Sequence, residues 1–371
     1  MTRILLAPDK FKGTLTAAQV CEHLRAGILQ ARPDVEVATA PVADGGDGLL
    51  DAATEVGYTD VQLTASDALG VPAPTRYVVH GTRAVVEMAE VCGLARLGDD
   101  RAPLEATSAG LGEAIAHALD RGAEEVLVGI GGSASTDGGA GMLVALGARL
   151  LDADGAPVGP GGGGLASLET VDLSGLHPRL AEVELVVACD VDNPLTGTKG
   201  AAAVYGPQKG ATPDHVEQLD ANLAHLADVV ARTTGQDQRD AAGAGAAGGV
   251  GYAALALLGA ALRPGVDVVL ELTGFHDALP GSDLVVTGEG ALDEQTLHGK
   301  APAGVAAEAR EAGIPVVAVA GAILLTPERL AEAGIVRAWA IADLATTPRE
   351  SFERPGPLLE EVGRQLAALL P

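Results

Sequence analysis

Five stretches of this 371-residue chain set glycine beside carboxylates, hydroxyls and amines, each just after an apolar run. Loops at the carboxyl ends of parallel strands are where α/β proteins bind ligands. The first is Ala7–Thr14 (APDKFKGT). A strand-end Asp9 with lysines beside it can act as a base or metal ligand while lysine neutralises phosphate. The same residues also suit a plain charged loop. The second is Asp44–Gly48 (DGGDG), whose two carboxylates in a glycine loop suit a hydrated Mg²⁺. An Asp-Gly turn before a helix is the simpler reading. The third is Gly131–Gly139 (GGSASTDGG). Its backbone N–H groups can cradle phosphate, aided by the positive end of a following helix. The fourth is Cys189–Leu195 (CDVDNPL), with Gly206–Gly210 (GPQKG) downstream. There Asp190 can orient a hydroxyl or metal, and Lys209 can meet an anion. The fifth, Thr287–Thr296 (TGEGALDEQT) followed by Gly299 and Lys300, combines carboxylates, an amide, a hydroxyl and a cation. These are parts of a phosphoryl-transfer site, where the protein positions groups and stabilises charge. Spacing alone leads to a nucleotide- or phosphate-using α/β enzyme and no further.

Other chemistries find less support. No GKS or GKT closes the glycine loops, and no GxGxxG follows the first strand. There is no HExxH and no Gly-x-Ser-x-Gly elbow. Cys21, Cys92 and Cys189 are scattered, which argues against a zinc cluster or disulfide framework and for a reducing compartment.

The elements that carry these loops read as α/β. Arg3–Ala7 is a buried strand and Leu15–Ala31 a helix capped by Thr14 or Thr16. Val35–Val42 is a second strand. Near the other end, Val266–Leu272, Asp283–Thr287, Pro315–Ala320 and Ala338–Ile341 read as strands, so the two ends together supply about six, a normal sheet. Between them lie a hairpin over 74–91 around Gly81, a helix over 107–121, and strands over 124–130 and 183–188. The expectation is two α/β domains: a parallel, doubly wound one built from 1–69 and 263–371, and a second inserted over 70–262.

Composition narrows the partners. Fifty acidic residues against 24 basic leave a net charge of −26, which repels nucleic acid and anionic membranes. An anionic ligand therefore needs local cations, a metal or backbone N–H groups. Aromatics make up only 2% against 47% hydrophobic residues, so Ala, Val, Leu and Ile must build the core. The N-terminus shows no signal core and no apolar stretch is long enough to span a bilayer, so a cytoplasmic protein is expected.

Taken in order, the segments APDKFKGTL, PVADGGDG, ATSAGLGE, GIGGSASTDGG, CDVDNPLTGTKGAAAVYGPQKGA and TGEGALDEQTLHGKAP resemble the type I glycerate kinase family along essentially the whole chain. Each is moderately specific alone; six in sequence are highly specific. The resemblance implies ATP- and Mg²⁺-dependent phosphorylation of D-glycerate, with the 2-phosphate favoured, and an active site in a cleft between two α/β domains. It leaves room for a homo-oligomer. Position by position it implies site roles for Asp9, Lys12, Asp44, Ser133, Asp137, Asp190, Asn193, Gln208, Lys209, Glu289, Asp293, Gln295, Thr296 and Lys300. Asp190 or Asp293 would be base or metal ligand. Lys12 and Lys300 would meet phosphate or the glycerate carboxylate. The chain departs from the pattern at Lys10 (a serine is usual), Asp47 (often Glu), Ser135-Thr136 (usually Thr-Asn) and Ala291 (Arg or Lys expected). The last puts substrate identity in question and keeps a related hydroxy-acid kinase, or a non-catalytic binding protein of the same fold, as alternatives.

Overall fold

The computed structural model describes residues 2–43, 48–297, 300–347 and 349–370. Its strands, in chain order, are β1 (Arg3–Pro8), β2 (Glu36–Thr39), β3 (Thr59–Ser66), β4 (Pro72–His80), β5 (Arg83–Glu87), β6 (Glu125–Gly129), β7 (Arg149–Leu151), β8 (Thr170–Asp172), β9 (Glu184–Ala188), β10 (Ala261–Arg263), β11 (Leu284–Leu292), β12 (Val316–Ile323) and β13 (Ile335–Ala340). The chain separates into two compact units, Met1–Val56 with Val266–Pro371, and Gly57–Gly265.

The first unit holds a five-stranded parallel sheet in the order β13-β12-β11-β1-β2. Its central strands are near-continuous apolar runs, as expected where both faces are covered. The helix Ala17–Ala31 starts at Thr16, whose hydroxyl accepts from the Gln19 amide while the Gln19 side chain accepts from the Thr16 amide. Its buried Val20, Cys21, Leu24 and Ile28 recur at helical spacing. This helix packs against Pro355–Ala367 at a glycine contact. A Cβ on Gly27 would lie 1.9 Å from the Glu360 carbonyl oxygen, and one on Gly363 2.5 Å from that of Leu24. Only glycine allows the two backbones so close.

One expected strand of this unit is a helix. Gly265–Leu272 is helical, which accounts for five strands in the sheet. Its acidic residues, Asp267 and Glu271, lie four apart on one helical face, and Val266, Val268, Val269, Leu270 and Leu272 are buried, a helical rather than a strand period.

The second unit has a six-stranded sheet, β10-β9-β6-β5-β4-β3, parallel from β10 to β5 and antiparallel from β5 to β3. The hairpin β4–β5 turns at Gly81, where φ is +60°. The edge strand β3 is largely exposed, whereas β6 and β9 are buried. A small ribbon, β7–β8, stands apart. Leu111, Ile115 and Leu119 of the helix Ala109–Asp120 pack into one apolar core with the sheet and with the long helix Pro213–Thr234. Among the described residues, no helix is long and apolar enough to cross a membrane.

Candidate active site

In the first unit the site grows from two adjacent strand ends. β1 and β11 run parallel in register through Pro8 and Gly288, and the Asp9 amide donates to the Gly288 carbonyl at 2.7 Å. β11 does not stop at Thr287 but continues through Leu292, paired with β12 up to Ile323. The glycine at 288 permits this, since a Cβ there would sit 1.9 Å from the Val319 carbonyl oxygen. Glu289 is thereby held on a strand rather than on a loop.

Glu289 is buried and accepts a 2.5 Å hydrogen bond at Oε1 from the Thr296 hydroxyl. Its Oε2 lies 3.8 Å from Lys300 Nζ. Asp293 folds the intervening turn: its Oδ1 accepts from the amides of Gln295 (2.8 Å) and Thr296 (3.2 Å). In return, its own amide donates to the Thr296 hydroxyl at 2.9 Å. Asp293 Oδ2 makes no hydrogen bond among the described residues. A cavity of about 470 Å³ opens here, lined by Asp9, Lys10, Lys12, Glu289, Asp293 and Lys300, and by the apolar side chains of Phe11, Ile341 and Phe352. That volume falls within the ~300–1,000 Å³ usual for small-molecule sites. Gln295 is exposed and enters the turn only through its amide. Asp44, with Asp47, lies outside the described residues.

The second unit treats its motif residues differently. Asp137 is fully buried. Its Oδ2 accepts from the amide and the hydroxyl of Ser108, both at 2.8 Å, and from the Gly141 amide at 3.1 Å. Oδ1 accepts from the Gly139 amide at 3.1 Å. A carboxylate so committed ties the glycine loop to the start of the helix Ala109–Asp120. Lys209 is also buried, and its Nζ donates to Ser133 Oγ (2.8 Å) and the Ser135 carbonyl (2.6 Å). Burial lowers its pKa to about 8, partly offset by the nearby Asp137 charge. Asp190 accepts the Gly265 amide at 2.6 Å, fastening the chain beyond β9 to the chain beyond β10. Asn193 braces its loop, donating to the Lys199 carbonyl (2.8 Å) and accepting from the Tyr205 hydroxyl (2.6 Å). Gln208 is exposed.

Two signals in the sequence went unused. Ser108, inside the ATSAGLGE segment, is the principal partner of Asp137. The chain has only five lysines against nineteen arginines. Lys10, Lys12 and Lys300 line the cavity of the first unit, Lys209 anchors the glycine loop, and Lys199 lies in the loop that Asn193 braces. The cysteines remain uninvolved, because burial pushes the thiols of Cys21, Cys92 and Cys189 up and away from the reactive thiolate.

Among the described residues no three His, Cys, Asp or Glu side chains gather into a metal cage. Mg²⁺ does not require one, since it is commonly held by one or two carboxylates with substrate phosphates and water. The carboxylates of Asp9 and Asp293 in the cavity are of the type that donor set needs, and the three lysines would serve the phosphates rather than the metal.

Parallel strands whose carboxyl-end loops gather lysines and carboxylates around a small cavity define an α/β protein built to handle an anionic small molecule. The chain belongs to the glycerate kinase family, whose model matches residues 4–371. It is 44% identical over 370 residues to the glycerate kinase of Bacillus subtilis (strain 168), covering 99% of this chain and 97% of that protein. It is 40% identical over 372 residues to the glycerate 2-kinase of Escherichia coli (strain K12), covering 99% and 98%. A Salmonella typhimurium LT2 crystal structure, assigned as glycerate kinase 2, superposes with a TM-score of 0.90 at 41% identity, covering 99% of this chain and 98% of that one.

Proposed function

We propose that this protein transfers the γ-phosphoryl group of ATP to D-glycerate, forming 2-phosphoglycerate and ADP in the cytoplasm. The observation that carries the reading is the cavity of the first unit, where three of the chain's five lysines face three carboxylates within a full-length family match. In a protein of net charge −26 those lysines supply the local positive field that two anionic substrates need. Bound Mg²⁺ would neutralise charge on the transferring phosphoryl group. Lys12 and Lys300 are suited to the phosphates or the glycerate carboxylate. Asp293, with one oxygen held by backbone amides and the other unbonded among the described residues, is suited to take the hydroxyl proton or to ligate the metal. Asp190 is the other candidate for either role. As the glycerate oxygen bonds to phosphorus, the bond to the β-phosphate oxygen breaks and ADP leaves. Glu289 acts through its neighbours, holding Lys300 on one oxygen and Thr296 on the other.

Ala291 raises the second reading, a kinase of a related hydroxy acid. Lys10 and Ala291 line the same cavity, so a cation at position 10 can serve where one at 291 is missing. This favours glycerate. The test is ADP release with ATP, Mg²⁺ and D-glycerate, with phosphorus NMR of the product. A signal coupled to the single C2 proton establishes the 2-phosphate. Turnover only with another hydroxy acid would transfer the assignment to that substrate.

A further inference from the structure

The cavity of the first unit has two kinds of lining. Lysines and carboxylates form one; Ala322, Ile341, Ala342 and Phe352 form the other. Phe352 stands out against the rest of the chain. There are eight aromatic side chains, and seven are buried or half-buried. Phe352 is 71% exposed. It adds almost nothing to the core, yet it stands at the cavity wall. In its short helix, Glu350–Glu353, the Glu350 carboxylate accepts from the Thr346 amide (2.7 Å) and hydroxyl (2.6 Å). The neighbouring Ser351 is buried.

A three-carbon acid with an oxygen on every carbon has no apolar surface to match a phenyl ring. A nucleobase has two flat π-faces, and aromatic side chains stack on them with little loss of rotamer freedom. We propose that Phe352 is the platform on which the nucleobase of ATP stacks, with Ile341 and Ala342 as its apolar surroundings and the cavity lysines taking the phosphates. This rests on the kinase reading above and adds the nucleotide's orientation within the cavity. It also accounts for an exposed phenylalanine in a chain that otherwise reserves aromatics for packing.

The test is calorimetric titration of the wild-type protein, Phe352→Ala and Phe352→Trp with ATP and with inorganic tripolyphosphate, each with Mg²⁺. The Ala variant should weaken ATP binding about ten- to a hundredfold and leave tripolyphosphate binding unchanged. The Trp variant should keep ATP affinity within about threefold, since it retains an aromatic face. In steady state the KM for D-glycerate should stay within about twofold, the spread expected of a contact that the acid does not make. Unchanged ATP affinity in the Ala variant overturns the proposal. So does an equal loss for ATP and tripolyphosphate, because the effect would then lie with the phosphates. Wild-type turnover of D-glycerate is measured alongside. If it is absent, the kinase reading fails, while the titrations still decide the base contact.

Discussion

Thr296 shows how much a single hydroxyl can hold. It donates to Glu289 and accepts from the Asp293 amide, so it couples a buried carboxylate to the turn that presents a second one. Thr296→Val should leave Glu289 short of a donor and loosen Asp293, with kcat/KM for ATP and D-glycerate falling at least about tenfold and stability by about 1–2 kcal/mol. Thr296→Ser, which keeps the hydroxyl, should restore most of the activity. Lys209 makes a prediction about pH. Its folded pKa of about 8 lies below its ordinary 10.5, so between those values the unfolded chain binds a proton that the native protein lacks. Stability must therefore rise with pH across that window, by up to about 1.4 kcal/mol per unit from this group. Below it the buried ammonium opposes folding. Urea midpoints measured from pH 7.5 to 10 should show this rise in the wild type and its loss in Lys209→Met. Parallel curves for the two proteins would remove the assignment.

At the level of elements, the glycine loop after β6 is fastened from within. Asp137 receives four hydrogen bonds that join this loop, the start of the helix Ala109–Asp120 and the helix Ala140–Ala145. Asp137→Asn places an amide group against those N–H donors. It should cost about 2–4 kcal/mol in chemical denaturation. Asp293→Asn, on a partly exposed turn, should cost activity with a stability change within about 0.5 kcal/mol. The two substitutions thus separate a carboxylate that builds the fold from one proposed to work in it. Element types were largely readable from the chain. Apolar runs marked β1, β6, β9 and β12, and Thr14 or Thr16 marked a helix start that the structure places at Thr16. At Gly265–Leu272 the helical period was present in the chain: Asp267 and Glu271, four residues apart, fall on the less buried face, while Val266, Val268, Val269, Leu270 and Leu272 are buried. The continuation of β11 through Glu289 was hidden by its glycines, which usually signal a loop but here permit a close strand contact.

At the level of the whole molecule, charge dominates. A net −26 repels both proposed substrates at long range, while the cavity lysines attract them at short range. Salt screens the longer-range term first, the Debye length shrinking from about 30 Å at 10 mM to about 8 Å at 150 mM. KM for D-glycerate and for ATP should accordingly fall about two- to fivefold between those ionic strengths. A KM that rises with salt would mean that the local lysines outweigh the molecular field.

Family membership, parallel α/β architecture and the motif segments were properties of the linear chain, because motif order and apolar spacing survive without coordinates. What each motif residue does was not. Asp137 and Asp293 look alike in sequence, each an acid in a glycine-bearing segment. Only the folded chain brings Ser108 to the first, 29 positions away, and leaves the second with one oxygen committed to its own turn. Lys209 reads as an anion contact until the fold buries it against Ser133, 76 positions distant. Burial and long-range pairing depend on residues remote in sequence, so the tertiary structure alone decides which charges are structural and which line a cavity.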